Sequence, residues 1–146
     1  MKLRDYWNNR AQQDEFSVYG IMDKVLTDKG IRYLLFFESD EKFNDNIKTN
    51  RRYFRIVYPF RVFFTRNGFH VVGFGLHSSI EKKDFFHEFQ LNYPNSDYFM
   101  ENATLRPNSM DELEFIVTQA FSENLLTEPI KVKYYRDKKV IENLGF

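Results

Sequence analysis

The dipeptide Asn67-Gly68, set inside a stretch dense in Val, Ile and Phe, is the feature that most narrows the folds open to this chain. Asn and Gly reach the positive φ that a two-residue type I′ turn needs, and such a turn matches the twist of two antiparallel strands. The surrounding residues Tyr53 to Phe74 include Ile56, Val57, Val62, Phe63, Phe64, Val71 and Val72, residue types that suit a pleated, half-buried surface. A two-residue turn pairs Thr65 with His70, Phe63 with Val72 and Arg61 with Phe74 on one face. Phe60, Val62, Phe64, Phe69 and Val71 then fall on the other. Pro59 marks an edge, bulge or corner before Phe60.

Upstream, Leu3, Tyr6 and Trp7 suit a short N-terminal helix. Val18, Ile21, Met22, Val25 and Leu26 recur at the spacing of one buried helical stripe, and Gly30 reads as its C-terminal stop. The run Ile31 to Phe37 is short and apolar, as a buried strand is, and residues 39 to 50 read as a polar loop. Downstream, Ser78 with Glu81 three residues later is a capping box opening a helix that carries Phe85, Phe86 and Phe89 before Pro94. Ser109 and Glu112 repeat the signature ahead of Leu113, Ile116, Val117, Ala120 and Phe121, an amphipathic stripe. Ile130 to Tyr135 alternates as a strand does, while Asp137 to Phe146 has no clear pattern.

Hairpin strands flanked by helices, without strand–helix–strand alternation, predict an α+β fold: a mostly antiparallel sheet packed with amphipathic helices in two layers. Residues 1–146 lack repeats and Pro/Gly/Ser linkers and fit one domain. The core it can bury is large, because aromatics make up 18% of the chain, with 17 Phe and 9 Tyr. With no cysteine, disulfides, thiolate catalysis and sulfur-ligated zinc are excluded. The first ten residues hold no apolar signal core, and no apolar run is long enough to span a bilayer, so the expected compartment is the cytoplasm, with no membrane association. Scarce Ala beside abundant Asn, Lys and Phe is the usage of AT-rich coding, which hints at a bacterium or its phage.

Net charge is zero, but the charge is segregated along the chain. Residues 46 to 80 hold Lys48, Arg51, Arg52, Arg55, Arg61 and Arg66 and no acid, whereas Asp and Glu dominate the two capped helices. Arg forks suit carboxylates and phosphates and stack on rings. Interleaved with Tyr53, Tyr58, Phe63 and His70, they form a candidate anionic-partner face, joined by Lys131, Lys133, Lys138 and Lys139 if the last strand enters the same sheet. The acidic late helix, with Asp111, Glu112, Glu114 and Glu123, reads as a solvated face whose first-turn carboxylates favour the helix dipole.

Other motifs carry less. Asn67 to Phe74 matches the RNP1 octamer of RNA-recognition motifs at Gly68, Phe69, Val72 and Phe74 but fails at Asn67, His70 and Val71, and the order of elements disagrees. Gly75, Ser78 and Ser79 stand where a strand gives way to a helix, a candidate anion site. His70, His77 and His87 are not forced to meet Asp84 and Glu88, so neither a metal centre nor a cofactor is expected. The reading that follows is a small non-enzymatic binding protein, a regulator or inhibitor with a role such as anti-defence, acting on a protein partner with an anionic surface. The alternatives are a single-stranded nucleic-acid binder and a small enzyme built around Gly75, Ser78 and His87; a homo-oligomer through the sheet is a further arrangement open to it.

Overall fold

The computed structural model describes residues 17–44, 54–94, 104–129, 131–135 and 138–141. The expected N-terminal helix at Leu3, Tyr6 and Trp7 lies outside them, as do Arg51, Arg52 and Tyr53. In chain order the elements are β1 (Ser17–Met22), β2 (Lys24–Thr27), β3 (Gly30–Tyr33), β4 (Phe36–Ser39), α1 (Phe54–Val57), β5 (Phe60–Phe64), β6 (Phe69–Gly73), α2 (Ser79–Asn92), β7 (Thr104–Leu105), α3 (Met110–Ala120), β8 (Lys131–Tyr135) and β9 (Lys138–Ile141). Every strand pairing is antiparallel, in three sheets ordered β7-β1-β8-β9, β2-β3 and β4-β6-β5. The class is α+β.

The helix expected across Val18 to Leu26 is instead β1 and β2, broken at Asp23. The break shifts the phase of the apolar residues, which is what imitated a helical repeat. What stabilises the extended form is non-local: β1 pairs with β8 and β7, so residues more than 80 positions away supply its hydrogen bonds. Gly30 does punctuate the chain, but as the end of the β2–β3 turn, with φ +100°. Thr27 Oγ1 donates to Gly30 O at 3.0 Å and accepts from Lys29 N–H at 3.1 Å, closing that turn.

The apolar run from Ile31 is not one strand. It breaks at Leu34 and Leu35, both fully buried. Leu34 N–H donates to Asp23 O and Gly73 N–H donates to Leu35 O, each at 2.8 Å, so the run passes from the two-stranded sheet to the three-stranded one. Gly73 is required for this passage, because a Cβ there would stand 2.7 Å from Leu35 Cβ.

Phe54–Val57 forms one helical turn where β structure was expected. Pro59 follows it, and sheet pairing begins at Phe60. The hairpin exists, but its register differs by two residues: Phe63 pairs with His70 and Arg61 with Val72, across a loop from Thr65 to Gly68. Thr65 N–H donates to Gly68 O and Gly68 N–H donates to Thr65 Oγ1, both at 3.0 Å. A slip of two leaves each side chain on its face, so Arg61, Phe63, His70 and Val72 still share one side.

That three-stranded sheet is packed on both faces rather than one. On one, Phe60 and Phe37 each lie 5.1 Å from Phe89 of α2, and Phe69 lies 4.8 Å from Tyr93 at its C-cap. On the other, Phe63 lies 5.6 Å from Phe115 of α3. The α2 capping box is complete, with Ser78 Oγ accepting from Glu81 N–H and the Glu81 side chain accepting from Ser78 N–H. The stripe of α3 is buried as expected from Leu113 to Ala120, while Phe121 is exposed at the C-cap. Phe36, Phe37, Phe69, Phe85 and Phe89 are almost wholly buried, each stabilising by roughly 2–3 kcal/mol relative to an exposed ring. The last strands do not enter this sheet. Lys131, Lys133, Lys138 and Lys139 belong to the four-stranded one with β1.

Candidate interaction surface

The expected cationic face divides once folded. Arg61 lies half exposed on the side of α3, with its guanidinium 4.7 Å from the Phe63 ring centroid and 5.3 Å from that of Phe115. Its Nη2 is 2.9 Å from Asp111 Oδ2, so the first turn of α3 supplies it with a carboxylate. Phe63 is half-buried beneath that stack. Arg66 is exposed in the loop after β5. Arg55 lies in α1 and not on a strand.

Two members turn inward. Tyr58 is 4% exposed and packs edge-on against His77 and Phe85, with its hydroxyl donating to Asp84 Oδ2 at 2.8 Å. It is therefore a core anchor and not an exposed ring. His70 is buried between two carboxylates, with Nδ1 2.5 Å from Glu112 Oε1 and Nε2 3.4 Å from Glu38 Oε2. Glu112 Oε2 also accepts from Asn108 N–H at 2.7 Å, so one buried carboxylate ties β6 to the entrance of α3. Burial raises the Glu38 carboxyl above its ordinary value, while His70 and Arg106 oppose that shift. Because both ring nitrogens face carboxylates, the cluster is built to hold two elements together rather than to present a free imidazole.

The ring that is displayed was not singled out by the sequence. Phe64 is 74% exposed at the end of β5, with Phe43 as an edge-on neighbour at 6.4 Å. Among the described residues β5 is an outer strand, and its partner β6 is central. Phe64 and Arg61 thus lie on this outer strand, and Arg66 in the loop that follows it. Alternation placed Phe64 with Phe69 and Val71, but only the tertiary structure shows that, among the described residues, no strand lies beyond it.

At the start of α2, the chain fills its own anion site. Ser78 N–H donates to Glu81 Oε1 at 3.0 Å, and this bond holds the Glu81 carboxyl below its usual range. Gly75, at φ +74°, donates its N–H to Gln119 Oε1 at 2.8 Å. Ser79 is exposed in the first turn. His87 is exposed nine residues beyond Ser78 on the same helix, about 13 Å along the axis, so Gly75, Ser78 and His87 do not converge.

A second internal ion pair also escaped sequence reasoning. Lys82 of α2 is buried with Nζ 2.6 Å from Asp23 Oδ2 and 4.8 Å from the Tyr33 ring centroid. Burial pushes the Asp23 carboxyl up to about 6, with Lys82 pulling the other way. Nothing local announces this pair, because 59 positions separate its members and Lys82 sits at an ordinary helical position. Among the described residues no group of three or more His, Cys, Asp or Glu is placed to hold a metal ion, and no helix is long and apolar enough to cross a membrane. Comparison with protein-family models, with curated proteins and with solved structures found no match.

Proposed function

We propose that this chain is a small non-enzymatic binding protein, a cytoplasmic regulator or inhibitor, that docks on an anionic partner protein through β5 and the loop after it. The observation that carries the reading is the coincidence at one sheet border of exposed Phe64, exposed Arg66 and half-exposed Arg61. They belong to a segment, residues 46 to 80, that holds six cations and no acid. An aromatic anchor near Arg is the composition of an energetically dominant interface patch, and exposed cations steer an acidic partner toward it. Among the described residues Tyr58 is buried and Phe60 and Phe63 pack on helices, so these rings are not free to stack on bases, which favours a protein partner over single-stranded nucleic acid.

The test combines affinity capture with fluorescence anisotropy. Wild type and a Phe64→Ala/Arg66→Glu variant are used as bait in a lysate, and both are titrated with labelled single-stranded DNA, single-stranded RNA and duplex DNA at two salt concentrations. A partner retained by the wild type and lost by the variant is the expected result. Salt-sensitive nucleic-acid binding that the variant loses would replace this reading with the nucleic-acid one. An unchanged set of captured proteins would refute the assignment of the surface.

A further inference from the structure

The hydrogen-bond phase of the hairpin shows what the border of β5 offers. Thr65 N–H donates to Gly68 O and Phe74 N–H donates to Pro59 O, both at 3.0 Å. With the register Arg61 to Val72 and Phe63 to His70, these bonds mean that Pro59, Arg61, Phe63 and Thr65 turn their backbone groups toward β6. In an antiparallel ladder the alternate residues turn theirs away. Val62 and Phe64 therefore direct N–H and C=O outward, and among the described residues no strand pairs with them. Natural edge strands are usually blunted by charge, Pro or a bulge. Here Arg61 is the one charge on β5.

We propose that β5 adds an extended partner segment as a further antiparallel strand, and that this segment alternates apolar and acidic side chains. The proposal rests on the anionic-partner reading and specifies how the partner is held. Side chains of an added strand alternate between the two faces of the sheet. Those on the face of Val62 and Phe64 meet an apolar surface, with Phe43 continuing it beside Phe64. Those on the opposite face meet the Arg61 guanidinium, which is half exposed although it already contacts Asp111. An exposed pair of that kind is weak, so a second carboxylate can share the Arg fork. Arg66, beyond the strand end, is a further exposed cation. Main-chain bonds supply affinity in such a mode, and the alternation supplies selectivity.

The probe is a labelled synthetic peptide alternating glutamate and valine, titrated against the full chain by anisotropy. Its controls are the same peptide N-methylated on alternate backbone nitrogens and one with lysine for glutamate. Binding to the first peptide, weakened at least tenfold by N-methylation as loss of about two backbone hydrogen bonds requires, and abolished by the lysine exchange, is expected. Val62→Pro removes an outward N–H that the hairpin does not use, which an edge strand tolerates; it should weaken binding about as much, measured at a temperature where circular dichroism shows the variant folded, because Val62 also packs on the core. If the N-methylated peptide binds as well as the parent, the strand-addition proposal fails and the anionic-partner reading survives. If neither acidic peptide binds, strand addition is overturned; if the capture experiment also finds no partner, the underlying reading falls too. A dimer of the protein alone that Val62→Pro dissociates, with no peptide bound, would assign the border to a second copy and overturn the proposal.

Discussion

Replacing Gly68 by Ala separates two explanations of why glycine stands there. In a type I′ turn Gly serves by adopting positive φ, but the described glycines with positive φ are Gly30 and Gly75. At Gly68 the constraint is contact: a Cβ would stand 1.9 Å from Ser39 O and 2.6 Å from Asp40 Cα. Both obstacles are backbone, so the hairpin loop or the end of β4 must move. Forced overpacking costs about 1–3 kcal/mol, and moving main chain while disturbing the two Thr65–Gly68 bonds places Gly68→Ala near the upper end, about 2–3 kcal/mol. At roughly 2–4 °C per kcal/mol for a chain of this size, the melting temperature should fall by about 5–10 °C. Without the contact, Ala at negative φ would stabilise by about 0.4–1 kcal/mol through the unfolded chain, so the sign itself is diagnostic. Gly68→Asn sharpens the test, because Asn tolerates a left-handed turn nearly as well as Gly but clashes as Ala does. Urea denaturation of both variants is the assay. Either variant within about 0.5 kcal/mol of wild type would refute the contact argument, as would Asn being spared while Ala is not.

Phe89→Ala should cost about 3–5 kcal/mol in urea denaturation, because this fully buried ring lies about 5 Å from Phe37, Phe60 and Phe85 at once. Ser78→Ala should cost about 1 kcal/mol by the same measurement, through loss of the cap on Glu81 N–H. Asp23 should tie stability to pH. Its folded value of about 6 lies above the ordinary 3.8, so the folded state holds the proton more firmly, and this group's contribution to stability declines as pH rises from about 4 to 6. Stability against pH for wild type minus that for Asp23→Asn should show this slope, close to one proton taken up on folding, and equal slopes would refute it. Asp23→Ala at neutral pH should cost about 3–5 kcal/mol by stranding the buried Lys82 cation, and pairing it with Lys82→Met should recover much of that loss.

What could be read in advance was local. Ser78 with Glu81 and Ser109 with Glu112 announced two helix starts because a cap is a contact between residues three apart. The stripe from Leu113 to Ala120 and the two faces of β5 and β6 followed from periodicities of 3.6 and 2. The segment Val18 to Leu26 misled because five apolar residues fit a helix as well as two strands broken at Asp23. The choice was made by β7 and β8, which the local pattern cannot see. The candidate surface was legible in the same partial way. Charge segregation drew attention to residues 46 to 80, but not to which rings would be buried, and Tyr58 and Phe64 exchanged the roles their chemistry suggested.

The sequence by itself determined the helix starts, the apolar faces, the class and the concentration of cations in the middle of the chain, since each depends on residues a few positions apart. The tertiary structure alone decided that β5 is outermost among the described strands of its sheet, that Gly68 lies against the main chain of Ser39, and that His70 and Lys82 find their carboxylates across 42 and 59 positions. The physical reason is that burial, pairing and desolvation are properties of what arrives from elsewhere in the chain, and a local pattern records which partners a residue can accept without recording which one it meets.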